Sequence, residues 1–147
     1  MNVVAETQYI QLDSWNQIID EVQLLPAGSA YDPPGKDGLA NFAASLMDEG
    51  AGGLNSRAFH AALAERAIQF RATAQRDYTV VTITSLKDNL PQALRLLQLA
   101  LTQPRFDADV VARVRTQIVQ NLEQNETEPP RVAANAFMKA FFNGHPY

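Results

Sequence analysis

Apolar and polar positions alternate along two pairs of segments and recur at helical spacing along five more. "ETQYIQL", residues 6–12, alternates loosely and predicts a strand. "NQIIDEVQLL", 16–25, predicts a second. Its apolar positions are Ile19, Val22 and Leu24, and its alternation slips at Ile18–Ile19. Pro and Gly crowd "PAGSAYDPPGKDG", 26–38, which predicts a loop. In "GLANFAASLMDEG", 38–50, Leu39, Phe42, Ala43, Leu46 and Met47 form the stripe of an amphipathic helix. Its other face carries Asn41, Ala44, Ser45 and Asp48. "GAGG", 50–53, ends this helix as a connector, lacking the strand–turn–helix context of a phosphate loop.

Residues 56–67 predict the next helix, with Ser56 as N-cap and Phe59, Leu63 and Ala67 facing inward. "IQFRATAQ", 68–75, and "DYTVVTITS", 77–85, alternate and are rich in β-branched residues, so they predict a hairpin turning near Gln75–Asp77. Asp88 caps a helix at 89–102, with Pro91 tolerated in its first turn. After the loop "TQPRFD", Asp107 caps the longest helix, about 108–127, striped by Val110, Val111, Val114, Ile118 and Leu122. "ETEPP" breaks it, 130–142 forms a last helix, and "NGHPY" reads as a loop. The order β-β-α-α-β-β-α-α-α predicts one α+β domain over residues 1–147, a largely antiparallel sheet backed by helices.

Composition supports a packed core, with 46% hydrophobic residues and 19% charged ones. The net charge of −4 and the absence of any Lys/Arg cluster argue against nucleic acid or an anionic membrane as partner. The absence of cysteine excludes disulfides, thiolate zinc sites and cysteine nucleophiles. No apolar run reaches the roughly 20 residues that span a bilayer, so no membrane insertion is expected. No signal peptide opens the chain; if one has been removed upstream, the location is periplasmic, otherwise cytoplasmic.

"AGSAYDPPGKDGLANFAASLMDEG" resembles the start of the insulinase/pitrilysin zinc peptidases, a family that includes the mitochondrial processing peptidases. Its members show a Gly-Ser with an aromatic or Asp-containing loop, then Gly-Leu-Ala-His inside an inverted motif, His-x-x-Glu-His. The hairpin, the Asp-capped helix, "QPRFD", the long helix ending in an acidic stretch before proline, and "GHPY" follow in the family's order. The resemblance runs from about residue 6 to 147. It implies a metallohydrolase half-unit of the processing-peptidase type, most of the first half-unit of a longer protein.

In that motif, histidines at i and i+4 share a helix face and hold one zinc ion, and the glutamate beside them acts as general base. By the resemblance, the first histidine falls on Asn41, the base on Ala44, the second histidine on Ser45 and the distal glutamate ligand on Asn121. Asn and Ser offer neutral oxygens where zinc prefers imidazole, thiolate or carboxylate, and Ala cannot accept a proton. Glu123 lies two residues past Asn121, a turn of about 200° on a helix, so it points elsewhere. The implied function is a non-catalytic homologue that forms a chamber with an active zinc peptidase subunit and helps hold peptide substrates, with no cofactor of its own. Two other readings stand beside it. One is a zinc endopeptidase with unorthodox ligands such as Asp48, Glu49 or Glu123; the other is an unrelated interaction module on the same fold. His60, next to Phe59, reads as a structural surface residue, and His145 as part of a turn.

Overall fold

The structure is a computed structural model and describes the backbone of residues 6–10 and 18–142. These residues fall into two compact units that divide between Val111 and Ala112.

The first unit is built on a four-stranded antiparallel sheet of β1 (Glu6–Ile10), β2 (Ile18–Leu25), β5 (Gln69–Ala74) and β6 (Thr79–Leu86), in the order β1-β2-β6-β5. The remaining residues of the expected first two strands, 11–12 and 16–17, lie outside the described residues. The 68–85 hairpin closes through the Gln75 N–H donating to the Tyr78 carbonyl at 2.8 Å.

Directly opposed residues of an antiparallel pair share a face. On β6 the inward set is Thr79, Val81, Ile83 and Ser85, all buried. On β5 it is Phe70, Ala72 and Ala74. Register then places Ile19, Glu21, Gln23 and Leu25 of β2 on this same face. Val22 and Leu24, expected as apolar positions of the strand, instead pair with Thr82 and Val80 on the half-exposed face. The slip at Ile18–Ile19 arises because a carboxylate occupies an inward position: Glu21, 4% exposed, accepts a hydrogen bond from Gln23 Nε2 at 3.1 Å.

The core lies between this face and the helices α2 (Ser56–Glu65) and α3 (Leu90–Thr102). It gathers Phe59, Leu63, Ile68, Val81, Ile83 and Leu96. Phe59 is fully buried and meets Phe70 edge-on, with ring centroids 6.2 Å apart. The hairpin of β3 (Gly50–Ala51) and β4 (Leu54–Asn55) is made from the glycine-rich stretch expected as a connector. Gly50 at φ +123° and Gly52 at φ +56° take backbone conformations that favour glycine.

Several expected helix ends move. Asn55, not Ser56, is the N-cap of α2: its side chain accepts the Ala58 N–H at 2.9 Å. Ser56 begins the helix, and its hydroxyl donates to Glu49 at 2.6 Å. The helix stops at Glu65, so Ala67 is exposed rather than inward, at φ +50°, and the Ile68 N–H returns to the Leu63 carbonyl at 2.9 Å. Asp88 sits in a 3-10 turn, Lys87–Asn89, and α3 begins after it without a side-chain cap. Asn89 directs its amide to the Arg66 carbonyl instead, at 2.9 Å.

The last two helices are α4 (Ala108–Thr127) and α5 (Pro129–Phe142). Asp107 precedes α4, its carbonyl accepting the Val111 N–H at 2.9 Å. Val110 and Val114 are buried, whereas Leu122 is 57% exposed, so the expected stripe is buried only along its first half. In the second unit, Phe137 stacks on Phe141 at 5.6 Å between centroids. No described helix is long and apolar enough to cross a membrane.

Candidate functional site

The site implied by the resemblance centres on α1, Leu39–Ala44, which lies beside β5. This helix is shorter than its apolar stripe suggests. At Ser45 the hydroxyl donates back to the Asn41 carbonyl at 2.9 Å, and the chain tightens into i→i+3 turns. Leu46 N–H reaches Ala43, Met47 reaches Ala44 and Glu49 reaches Leu46, before Gly50 turns the chain into β3. Burial shifts too. Leu39, expected inside, is 45% exposed, while Ala44, expected on the outer face, is 4% exposed.

Three anchors fix α1. Asp32 receives the Gly38 N–H at 2.8 Å and the Ala40 N–H at 2.9 Å, satisfying donors that a helix start leaves open and placing negative charge at its positive end. Gly38, at φ +91°, makes that approach feasible. Upstream, Ser29 and Ala30 donate to the Gln75 and Arg76 carbonyls of the β5–β6 turn at 2.9 and 2.8 Å, and Thr79 Oγ1 donates to the Ala27 carbonyl at 2.7 Å. Gly28 lies between these contacts. A Cβ there would meet the Arg76 carbonyl oxygen at 2.3 Å, so only glycine fits without moving backbone. Local spacing rules did not reveal the roles of Asp32 and Gly28. Asp32 acts six residues ahead of its first donor, and the clash at Gly28 comes from a distant turn.

Beneath α1 lies an apolar cavity of about 330 Å³. Tyr31, Ala43, Ala44 and Met47 line one wall; Leu101 and Phe106 help line the other. Phe106 sits at φ +51°, a strained conformation for an aromatic residue. Its neighbours hold it there: Arg105 pairs with Asp107 at 2.9 and 3.1 Å, and the Arg105 N–H donates to the Gly50 carbonyl at 3.1 Å. The hydrogen bond to Asp107 and its negative charge raise the Arg105 pKa above its ordinary value.

Asn41 and Ser45 are exposed and stand one turn apart, while Ala44 points into the packed side of the helix. These side chains do not fit zinc: an amide and a hydroxyl are neutral oxygen donors, and a methyl group donates nothing. Asn121 is exposed on α4, in the second unit, as is Glu123. Glu49 accepts the Ser56 hydroxyl, Asp48 follows in the same turn, and His60 is exposed on α2. Among the described residues, no three His, Asp or Glu side chains converge as a metal site. His145 lies outside the described residues.

A four-stranded antiparallel sheet, helices packed on one face and a short helix held against the edge strand define an α+β half-unit of the metallohydrolase type. Residues 22–147 match the family described as insulinase (peptidase family M16), and the chain belongs to that family. It is 26% identical over 152 residues to cytochrome b-c1 complex subunit 1, mitochondrial, of Bos taurus, covering 97% of this chain and 32% of that protein. It is 25% identical over 138 residues to the non-peptidase homolog YmxG of Helicobacter pylori, covering 88% and 32%. The chain thus spans about a third of the length of these curated relatives. Among solved structures, the peptidase M16 inactive domain from Pseudomonas fluorescens aligns with a TM-score of 0.75 at 26% identity, over 84% of this chain and 30% of that one. A protease from Helicobacter pylori aligns with a TM-score of 0.69 at 17% identity, over 83% and 32%, a likeness of fold alone.

Proposed function

We propose that this chain is a non-catalytic member of the insulinase family that helps an active zinc peptidase subunit form its chamber and hold peptide. One observation carries the reading: α1 is anchored in full, yet the positions matching the zinc motif are Asn41, Ala44 and Ser45. The names of two similar proteins, a non-peptidase homolog and an inactive domain, support the loss of catalysis. A third relative is named as a subunit of a larger complex, which supports a role beside a partner. Peptide binding is supported by β5, which ends the sheet and has no further strand neighbour among the described residues. Such an edge can pair with an extended backbone.

The test is elemental analysis of the purified chain after zinc loading and desalting, with co-expression of a family member that keeps His-x-x-Glu-His. Substoichiometric zinc and co-purification are expected. One zinc per chain with chelator-sensitive peptide cleavage would overturn the reading in favour of unorthodox ligands. Zinc-free chain that captures only unrelated proteins would favour an independent interaction module.

A further inference from the structure

We propose that residues 31–48 form a hinged strap that opens over the apolar cavity while the sheet stays folded. This goes beyond the non-catalytic reading and holds whether or not a peptidase partner exists.

The ends of the segment are fixed and its middle is lightly held. At one end, Ser29 and Ala30 are bonded to the β5–β6 turn, and Gly28 is wedged against the Arg76 carbonyl. At the other, Glu49 accepts the Ser56 hydroxyl and Gly50 pairs with Asn55 in the small hairpin. Between these ends, among the described residues, the backbone hydrogen bonds made by residues 33–47 close within the segment. Asp32, which caps α1, belongs to the same stretch. Opening at the hinges therefore breaks few bonds to the rest of the unit.

Packing points the same way. No α1 residue belongs to the buried core cluster around Phe59 and Leu96; only Met47, just beyond the helix, packs against it, and only in part. The cavity removes contacts from the underside of Ala43 and Ala44, and a surface facing a void forfeits dispersion attraction on that side. Its two polar lining groups are committed already, Asp32 to the Gly38 and Ala40 N–H groups and Thr79 to the Ala27 carbonyl. Nothing polar therefore ties the strap across the gap. A segment with few core contacts and self-contained hydrogen bonds opens at lower free energy than a central strand.

Amide hydrogen exchange on the whole chain tests this by comparing peptides covering 31–48 with peptides covering β6. Phe59→Ala, which loosens the core, should speed exchange in β6 and leave the strap unchanged. Asp32→Ala should speed strap exchange about tenfold, the equivalent of one lost cap, with β6 unaffected. Ala43→Leu, which extends into the cavity, should slow strap exchange. The proposal is overturned if strap and β6 exchange at one common rate, or if Phe59→Ala accelerates both alike. It is equally overturned if Asp32→Ala leaves the strap unchanged while circular dichroism shows the fold intact.

Discussion

Gly28→Ala is the sharpest test of how the loop before α1 is seated. The substitution places a methyl 2.3 Å from the Arg76 carbonyl oxygen, and 2.5 Å from both the Arg76 carbonyl carbon and the Tyr78 nitrogen. All three are backbone atoms, so no side chain can swing aside. Gly28 has φ −95° and ψ −177°, which alanine adopts freely, so the penalty is contact and not backbone strain. Overpacking of this kind costs about 1–3 kcal/mol. Relieving it pulls Ser29 and Ala30 from their carbonyl partners, at about 1 kcal/mol each. The smaller entropy of the unfolded alanine chain returns about 0.4–1 kcal/mol, so contact wins and the net loss is about 3 kcal/mol. For a chain of this size that lowers the melting temperature by about 6–12 °C. Urea and thermal unfolding followed by far-ultraviolet circular dichroism measure it, with Gly53→Ala as control, since nothing lies within 4 Å of a Cβ there. A Gly28→Ala midpoint indistinguishable from wild type would refute the close approach.

Phe59→Ala removes a fully buried ring that meets Phe70 edge-on, and a loss of about 3–5 kcal/mol is expected in urea unfolding. Asn55→Ala removes the α2 cap and should cost about 1 kcal/mol, whereas Ser56→Ala, which keeps that cap, should cost less. Ala44→Glu forces a carboxylate toward an apolar cavity and should destabilise by about 1–3 kcal/mol. Asn41→His and Ser45→His, at exposed positions, should each stay within about 0.5 kcal/mol of wild type, and equal stability of all three variants would refute the burial assigned to Ala44.

Periodicity was a good guide wherever one face of an element meets one core. The β5–β6 hairpin, α3 and the inward Phe59 and Leu63 all follow it. It misled where a single residue broke the rule. Glu21 occupies an inward position of β2, so the apolar residues Val22 and Leu24 mark the wrong face. Cap assignment failed between adjacent good candidates, because Asn55 and Ser56 are both favoured N-caps and only geometry chooses. The length of α1 was hidden because Leu46 and Met47 continue the helical stripe even though the backbone has tightened into turns. At the site, sequence resemblance marked Asn41, Ala44 and Ser45. It carried no sign that Asp32 supports the helix or that a cavity lies beneath it, since both depend on residues brought together by the fold.

That division explains how a family fold persists without its chemistry. The scaffold of α1 depends on Asp32, Gly28, Gly38 and the buried Ala44, none of which would ligate zinc. Asn41 and Ser45 face solvent, and exposed substitutions away from caps and cores usually change stability by no more than about 0.5 kcal/mol. Folding therefore exerts almost no pull on the two positions that match the histidines. Only selection for metal binding would keep histidine there. The base position differs, because Ala44 is buried beside an apolar cavity and alanine there is favourable to the fold. Once metal binding is no longer selected, drift at the two exposed positions is neutral and the change at Ala44 favours the fold. An emptied motif on an intact helix is the outcome these energies favour.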